Sequence, residues 1–141
     1  MKRSATAVWK GGIKDGTGEI STQSGVLSNS PYGFKTRFEN EPGTNPEELI
    51  GAAHAGCFSM ALSKELGDAG ITADRIETKA DVTLEQAGGG FAITAVRLTV
   101  TVKASGADKA KVETAAEGAK ANCPVSKLLK ADITMDLTVE V

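Results

Sequence analysis

Aromatic residues are scarce in this 141-residue chain, only 4%, with one Trp, one Tyr and four Phe. Neither sign of charge dominates, since 16 Lys and Arg stand against 18 Asp and Glu for a net charge of -2. A chain without a basic block offers phosphates no counter-charge, and so few rings give bases nothing to stack on, which excludes nucleic acid as a partner. Long apolar runs are also missing. The longest mostly apolar stretch, Ile50 to Leu62, is interrupted by His54 and Ser59 and is far shorter than the roughly 20 residues that span a bilayer. No apolar run of signal-peptide length opens the chain at Met1 to Trp9, so the expected compartment is the cytoplasm, with no membrane association. There is one histidine, and there are two cysteines, a sparse set for a metal site that needs three or four ligands, and no metal or bound cofactor is expected.

What is present suits one ordinary globular domain over residues 1–141, with 40% hydrophobic residues and 16 glycines. Apolar residues alternate at Ile133, Met135, Leu137, Val139 and Val141, at Val96, Leu98, Val100 and Val102, and at Ile76, Ala80, Val82 and Leu84. Each is the signature of a half-buried strand, and Gly88-Gly89-Gly90 joins the last two runs as a long hairpin. Shorter β-like runs are expected at Ala5 to Trp9, Gly18 to Val26 and Phe34 to Glu39, separated by Gly-rich turns and by Pro31-Tyr32-Gly33. Asn45, Pro46, Glu47 and Glu48 supply a cap, a first-turn proline and first-turn acids, and predict a helix from Pro46 to about Gly67. Its small-residue middle, Gly51 to Cys57, predicts a buried central helix that another backbone approaches closely. A second helix is predicted from a cap at Asp108, and Pro124 must break it, because proline removes a backbone donor. A short helix, Val125 to Lys130, follows, with Cys123 at the junction.

The chemistry available to these residues is that of thiols. Cys123, ahead of a helix N-terminus, faces unpaired amides that favour the thiolate, whereas Cys57 lies mid-helix among small apolar residues. Two separate thiols suit a peroxide cycle, in which one becomes a sulfenic acid and the other captures it as a disulfide. Arg37, on the expected strand where Lys35, Arg37 and Glu39 share a face, is a candidate cation for holding a thiol ionised. His54, one helical turn before Cys57, is either a base for that thiol or a structural histidine.

These residues also carry a resemblance. The runs PYGFKTRFE (31–39) and GTNPEELIGAAHAGCFSMAL (43–62), then Ala80-Asp81-Val82, Gly90 to Thr94 and Cys123-Pro124-Val125-Ser126, closely resemble the OsmC (osmotically inducible protein C) branch of the OsmC/Ohr family, over essentially the whole chain. The resemblance implies an α+β fold with antiparallel sheets packed on two long central helices in an intertwined homodimer. It implies a thiol-dependent peroxidase acting on organic hydroperoxides, and more weakly on hydrogen peroxide, in oxidative and osmotic stress defence. Cys57 would be the attacking thiol, Cys123 the resolving one, Arg37 the supporting arginine and Glu47 the acid paired with it. The implied reductant is a dithiol of the dihydrolipoamide type. This assigns the attack to Cys57, whereas the local reading favours Cys123 as the activated thiol.

Helix geometry adds one expectation. Glu47 and Cys57 stand ten residues apart, about 15 Å along one helix and about 80° around it, too far for one arginine to bridge, so each site is expected to take Glu47 from the partner subunit. Phe34, Phe58 and Met60 are the expected apolar neighbours of an alkyl hydroperoxide. The competing class is a stress-linked protein that binds a hydrophobic ligand or senses redox state through the same cysteines.

Overall fold

The computed structural model describes all of residues 1–141, which form two compact units, 1–49 and 50–141.

In the first unit three strands, β1 (Ala5–Lys10), β2 (Thr17–Thr22) and β3 (Ser30–Tyr32), form an antiparallel sheet in the order β1-β2-β3. Gly18 permits the Trp9 and Tyr32 rings to close over β2, with centroids 5.6 Å apart. A Cβ at that position would lie 2.5 Å from the Tyr32 ring. Strand β2 is shorter than the expected Gly18 to Val26, because the chain folds back on itself at Thr22. The Thr22 amide donates to the Leu27 carbonyl at 2.9 Å, and the Leu27 amide to Thr22 Oγ1 at 3.1 Å. Pro31, expected in a turn, lies instead in β3, an edge strand where the absence of an N–H costs no ladder bond.

The expected strand at Phe34 to Glu39 is a short helix, α1 (Phe34–Phe38). Thr36 Oγ1 accepts from the Gly33 amide at 2.8 Å and donates to its carbonyl at 3.0 Å, closing a turn at the helix start. Phe34 and Phe38, one turn apart, bring their rings to 4.9 Å. Lys35 and Arg37 therefore do not share a strand face, and Lys35 pairs with Glu41 at 3.6 Å.

Helix α2 (Pro46–Asp68) starts in the first unit and continues into the second, matching the expected bounds to within a residue. Asn45 caps it, accepting from the Glu48 amide at 2.8 Å. The rest of the second unit is β4 (Arg75–Ala87), β5 (Gly90–Lys103), α3 (Lys109–Asn122), α4 (Pro124–Leu128) and β6 (Asp132–Glu140). Strands β4 and β5 form the expected hairpin, whose two turn residues, Gly88 and Gly89, both have positive φ, as a tight turn of this twist requires. Strand β6 lies beside β5 but parallel to it. The second sheet is thus mixed rather than antiparallel throughout, and α3 and α4 are the crossover that a parallel pair needs.

Along α2, His54, Phe58, Leu62 and Leu66 recur every four residues and are fully buried. Phe58, Leu62 and Leu66 meet Val112, Ala115, Ala116 and Ala119 of α3 and the row Val96, Leu98, Val100 and Val102 of β5 in one core. Each large side chain in it contributes about 1.5–3 kcal/mol by leaving water. On the other side of α2, Ala52, Ala53, Gly56 and Met60 are exposed in the single chain, Met60 by 78%. The close backbone approach expected of the small residues occurs at Gly51, where a Cβ would stand 3.2 Å from the Ala80 carbonyl oxygen. No helix is long and apolar enough to cross a membrane.

Candidate active site

Two groups of candidate residues are built locally, one in each unit. In the first unit, Arg37 on α1 grips Glu47 in the first turn of α2. Nη2 donates to Oε1 at 2.7 Å and Nε to the same oxygen at 3.1 Å. The carboxylate is 11% exposed and the guanidinium 37%. The caps make this pair possible: Asn45 both starts α2 and donates from Nδ2 to the Thr36 carbonyl at 3.1 Å, tying the two short segments together. A forked guanidinium on a carboxylate is a strong, orientation-specific pair. Arg37 Cζ also lies 5.5 Å from the Phe38 ring centre.

In the second unit, the Cys57 and Cys123 thiols are both free and are near enough for each to influence the other's ionisation. Cys57 is half-buried on α2, while Cys123 is fully buried between α3 and α4. Pro124 ends α3 and occupies the first turn of α4, as expected. Helix α4 is shorter than the expected Val125 to Lys130, because the Leu129 backbone is extended. The Val125 and Ser126 amides face the Cys123 sulfur as dipoles rather than as close capping bonds.

The two thiols differ in acidity. Burial pushes Cys57 up, and the hydrogen bond and charge shared with Cys123 push the same way, against the Val125 amide. Burial also acts against the Cys123 thiolate, but the Cys57 thiol, the Ser126 amide and hydroxyl, and the Val125 amide outweigh it and bring the thiol down.

His54 does not engage Cys57. Its Nε2 lies 2.8 Å from Ser126 Oγ, and its Nδ1 is buried without a partner. Burial lowers its pKa, which keeps the ring neutral. Ser126 has no role in the sequence reading beyond its place in the run Cys123-Pro124-Val125-Ser126, and its pairing with His54 across 72 positions leaves no local signal. No cluster of three His, Cys, Asp or Glu side chains is arranged to hold a metal.

Cys57 opens on a groove of about 590 Å³, also lined by Met60, Ala61, Lys64, Asn122 and Lys127. Of the expected apolar neighbours, Met60 lines it, whereas Phe58 is sealed in the core and Phe34 packs on Phe38 in the first unit.

Comparison with known proteins shows what this chain is similar to. The family model described as "OsmC-like protein" matches residues 38–138. The chain belongs to the OsmC family. It is 56% identical over 136 residues to Peroxiredoxin OsmC of Escherichia coli (strain K12), covering 96% of this chain and 95% of that one. Organic hydroperoxide resistance protein OhrB of Bacillus subtilis (strain 168) is 29% identical over 124 residues, 87% of this chain and 89% of its own. The crystal structure of that OhrB superposes with a TM-score of 0.69 at 28% identity, over 97% of this chain and 98% of the other. An organic hydroperoxide resistance protein from Elizabethkingia anophelis superposes with a TM-score of 0.74 at 26% identity, over 99% and 97%. The α+β architecture is thus the OsmC/Ohr fold, with the mixed sheet described above.

Proposed function

We propose that this OsmC-family chain is a cysteine-based peroxidase that reduces organic hydroperoxides to alcohols, with Cys57 attacking, Cys123 resolving, and Arg37 and Glu47 in support. The observation that carries the reading is the facing pair of thiols, the outer one open to a groove and the inner one sealed from solvent. The Cys57 thiolate attacks the terminal peroxide oxygen, the O–O bond breaks, and the alkoxide leaves as the alcohol after taking a proton. Cys57 is now a sulfenic acid, and Cys123 displaces its hydroxyl to form a disulfide. A dithiol of the dihydrolipoamide type then restores both thiols. Sulfur itself carries the two electrons, so the cycle uses no bound cofactor.

One requirement remains for the first step. Burial pushes the Cys57 thiol up, so an attacking Cys57 needs a cation to hold its thiolate. Arg37 is that cation in our reading. Because Arg37 is already bound to Glu47 of its own chain, the expectation that a site borrows Glu47 from the partner extends to the arginine, and whichever chain supplies one supplies both. The active form is then a homodimer. Apolar Met60 and Ala61 beside Cys57 suit an alkyl hydroperoxide better than hydrogen peroxide, which is reduced more weakly. A reducing cytoplasm, where thiols stay available, fits this role in oxidative and osmotic stress defence.

The test is multiple-turnover consumption of tert-butyl hydroperoxide with reduced lipoamide. Wild type turns over, Cys57→Ser is inert, and Cys123→Ser reduces about one equivalent and stops. Reaction of a single equivalent by the wild type despite ample dithiol would overturn the cycle in favour of a redox sensor or hydrophobic-ligand-binding protein.

A further inference from the structure

The cycle just described leaves one group without a task, the fully buried imidazole of His54 on α2. A buried polar ring is costly unless its polar atoms are satisfied, and this ring makes a single hydrogen bond. Its Nε2 lies 2.8 Å from Ser126 Oγ, while Nδ1 has no partner. Ser126 is in turn the only buried residue of α4, whose Leu128 is 78% exposed. Apolar packing on the core reaches α4 through the half-buried Val125 alone. A helix of five residues has no stability of its own, so this polar bond, and not an apolar stripe, is what docks α4 on α2.

The bond also stands in a particular place. On α2, Cys57 follows His54 by three residues, and across the α4 turn Ser126 follows Cys123 by three, the turn being closed by the Lys127 amide donating to the Cys123 carbonyl at 3.0 Å. Cys57 shares its groove with Asn122 and Pro124, the residues on either side of Cys123. The His54–Ser126 bond therefore joins the same two segments that a Cys57–Cys123 disulfide joins, about one helical turn away, roughly 4.5 Å along α2. Bond and thiol pair are neighbouring rungs between two segments that run in opposite directions.

We propose that His54 is a positioning residue for the resolving step, its bond to Ser126 fixing α4 against α2 so that the Cys123 sulfur stays within reach of an oxidised Cys57. The inference rests on the peroxidase reading above and concerns its second step. There the Cys123 sulfur attacks the sulfenic sulfur of Cys57, the S–S bond forms and the S–O bond breaks. Cys123 is oxidised, the sulfenic sulfur is reduced, and the hydroxyl of the sulfenic acid leaves with the proton of the Cys123 thiol as water. A disulfide requires Cβ atoms about 3.8 Å apart, so a small slip of α4 is enough to stop this step while leaving the attack of Cys57 on peroxide untouched. A hydrogen bond is suited to preventing such a slip, because it is directional where a small apolar contact is not.

The experiment follows one turnover with one equivalent of tert-butyl hydroperoxide and reads two rates, peroxide consumption and formation of the Cys57–Cys123 disulfide by mass spectrometry of quenched samples. Ser126→Ala and His54→Phe leave the first rate within about twofold of wild type and slow the second about tenfold, the rate equivalent of one buried hydrogen bond. Cys57 sulfenic acid accumulates meanwhile and is trapped as its dimedone adduct. The double variant is no slower than either single one, since both remove the same bond. His54→Gln, which keeps a side-chain N–H for Ser126, recovers most of the rate. Ser59→Ala deletes a hydroxyl of the same helix that bonds to the Ala55 carbonyl and Thr78, and it leaves the disulfide rate unchanged. Disulfide formation at the wild-type rate in Ser126→Ala, the variant least able to disturb the fold, overturns the proposal. So does equal slowing of both steps, which would make the bond structural only. A wild type that forms no Cys57–Cys123 disulfide removes the peroxidase cycle and the resolving role with it, whereas a wild-type disulfide unaffected by either substitution removes the positioning role alone.

Discussion

The two ends of helix α2 are held by different physics. At its N-terminal end, in the first unit, Asn45, Thr36, Arg37 and Glu47 are joined by directional polar bonds, and none of the residues of α1 is buried. At its other end, in the second unit, Phe58, Leu62 and Leu66 are held by burial against α3 and β5. Polar bonds fix where a charge points but contribute little net stability, because water offers the unfolded chain similar bonds. Apolar burial does the reverse. The guanidinium is aimed by the first kind of structure, while the thiols are carried by the second, where Cys57 is one position from Phe58.

Three perturbations sharpen or break this contrast. The largest effect is expected from mixing inactive chains. Cys57→Ser and Glu47→Ala chains, unfolded and refolded together, regain activity well above the sum of the two parents, because a mixed dimer with shared sites has one site free of both defects. Mixtures that never exceed that sum would show the pair and the thiol acting within one chain. Next comes Leu62→Ala, which leaves a cavity where α2 meets β5 and costs about 2–5 kcal/mol in a denaturant titration. A loss under about 1 kcal/mol would mean that burial is not what holds this end. The smallest is Asn45→Ala, which removes the cap and its tie to Thr36 for about 1 kcal/mol. In a peroxide assay under conditions where the variant is folded, its loss of turnover should be larger than that small change in stability suggests, since the cap aligns Glu47 and with it Arg37. Turnover equal to wild type would separate the cap from the guanidinium.

Local signals were legible where one interaction dominates. The start of α2 followed from Asn45, Pro46 and two first-turn acids, and the hairpin from Gly88 and Gly89, because caps and tight turns are made by adjacent residues. Helix α1 was misread for an identifiable reason. Residues 34, 36 and 38 alternate as a strand would, but positions 34 and 38 are also one helical turn apart, so both periods fit. The Thr36 hydroxyl, bonding back to Gly33, decides for the helix. Pro31 was read as a turn because the sequence does not reveal that its strand would be an edge.

The site was legible in part and for parallel reasons. The position of Cys123 before a short helix is a matter of neighbours and was read directly. Its meeting with Cys57, and that of His54 with Ser126 across 72 positions, depend on how α2 packs against the α3 and α4 crossover.

By itself the amino-acid sequence determined the helix caps, the alternating strands, the family and the residues able to carry thiol chemistry, because these depend on identity and short-range spacing. Only the tertiary structure decided that β6 runs parallel to β5, that α2 buries one stripe and exposes the other, that Arg37 holds Glu47 of its own chain, and that the buried His54 meets Ser126. Such pairings join residues far apart in the chain, and the packing that selects them is a property of the whole core rather than of any segment within it.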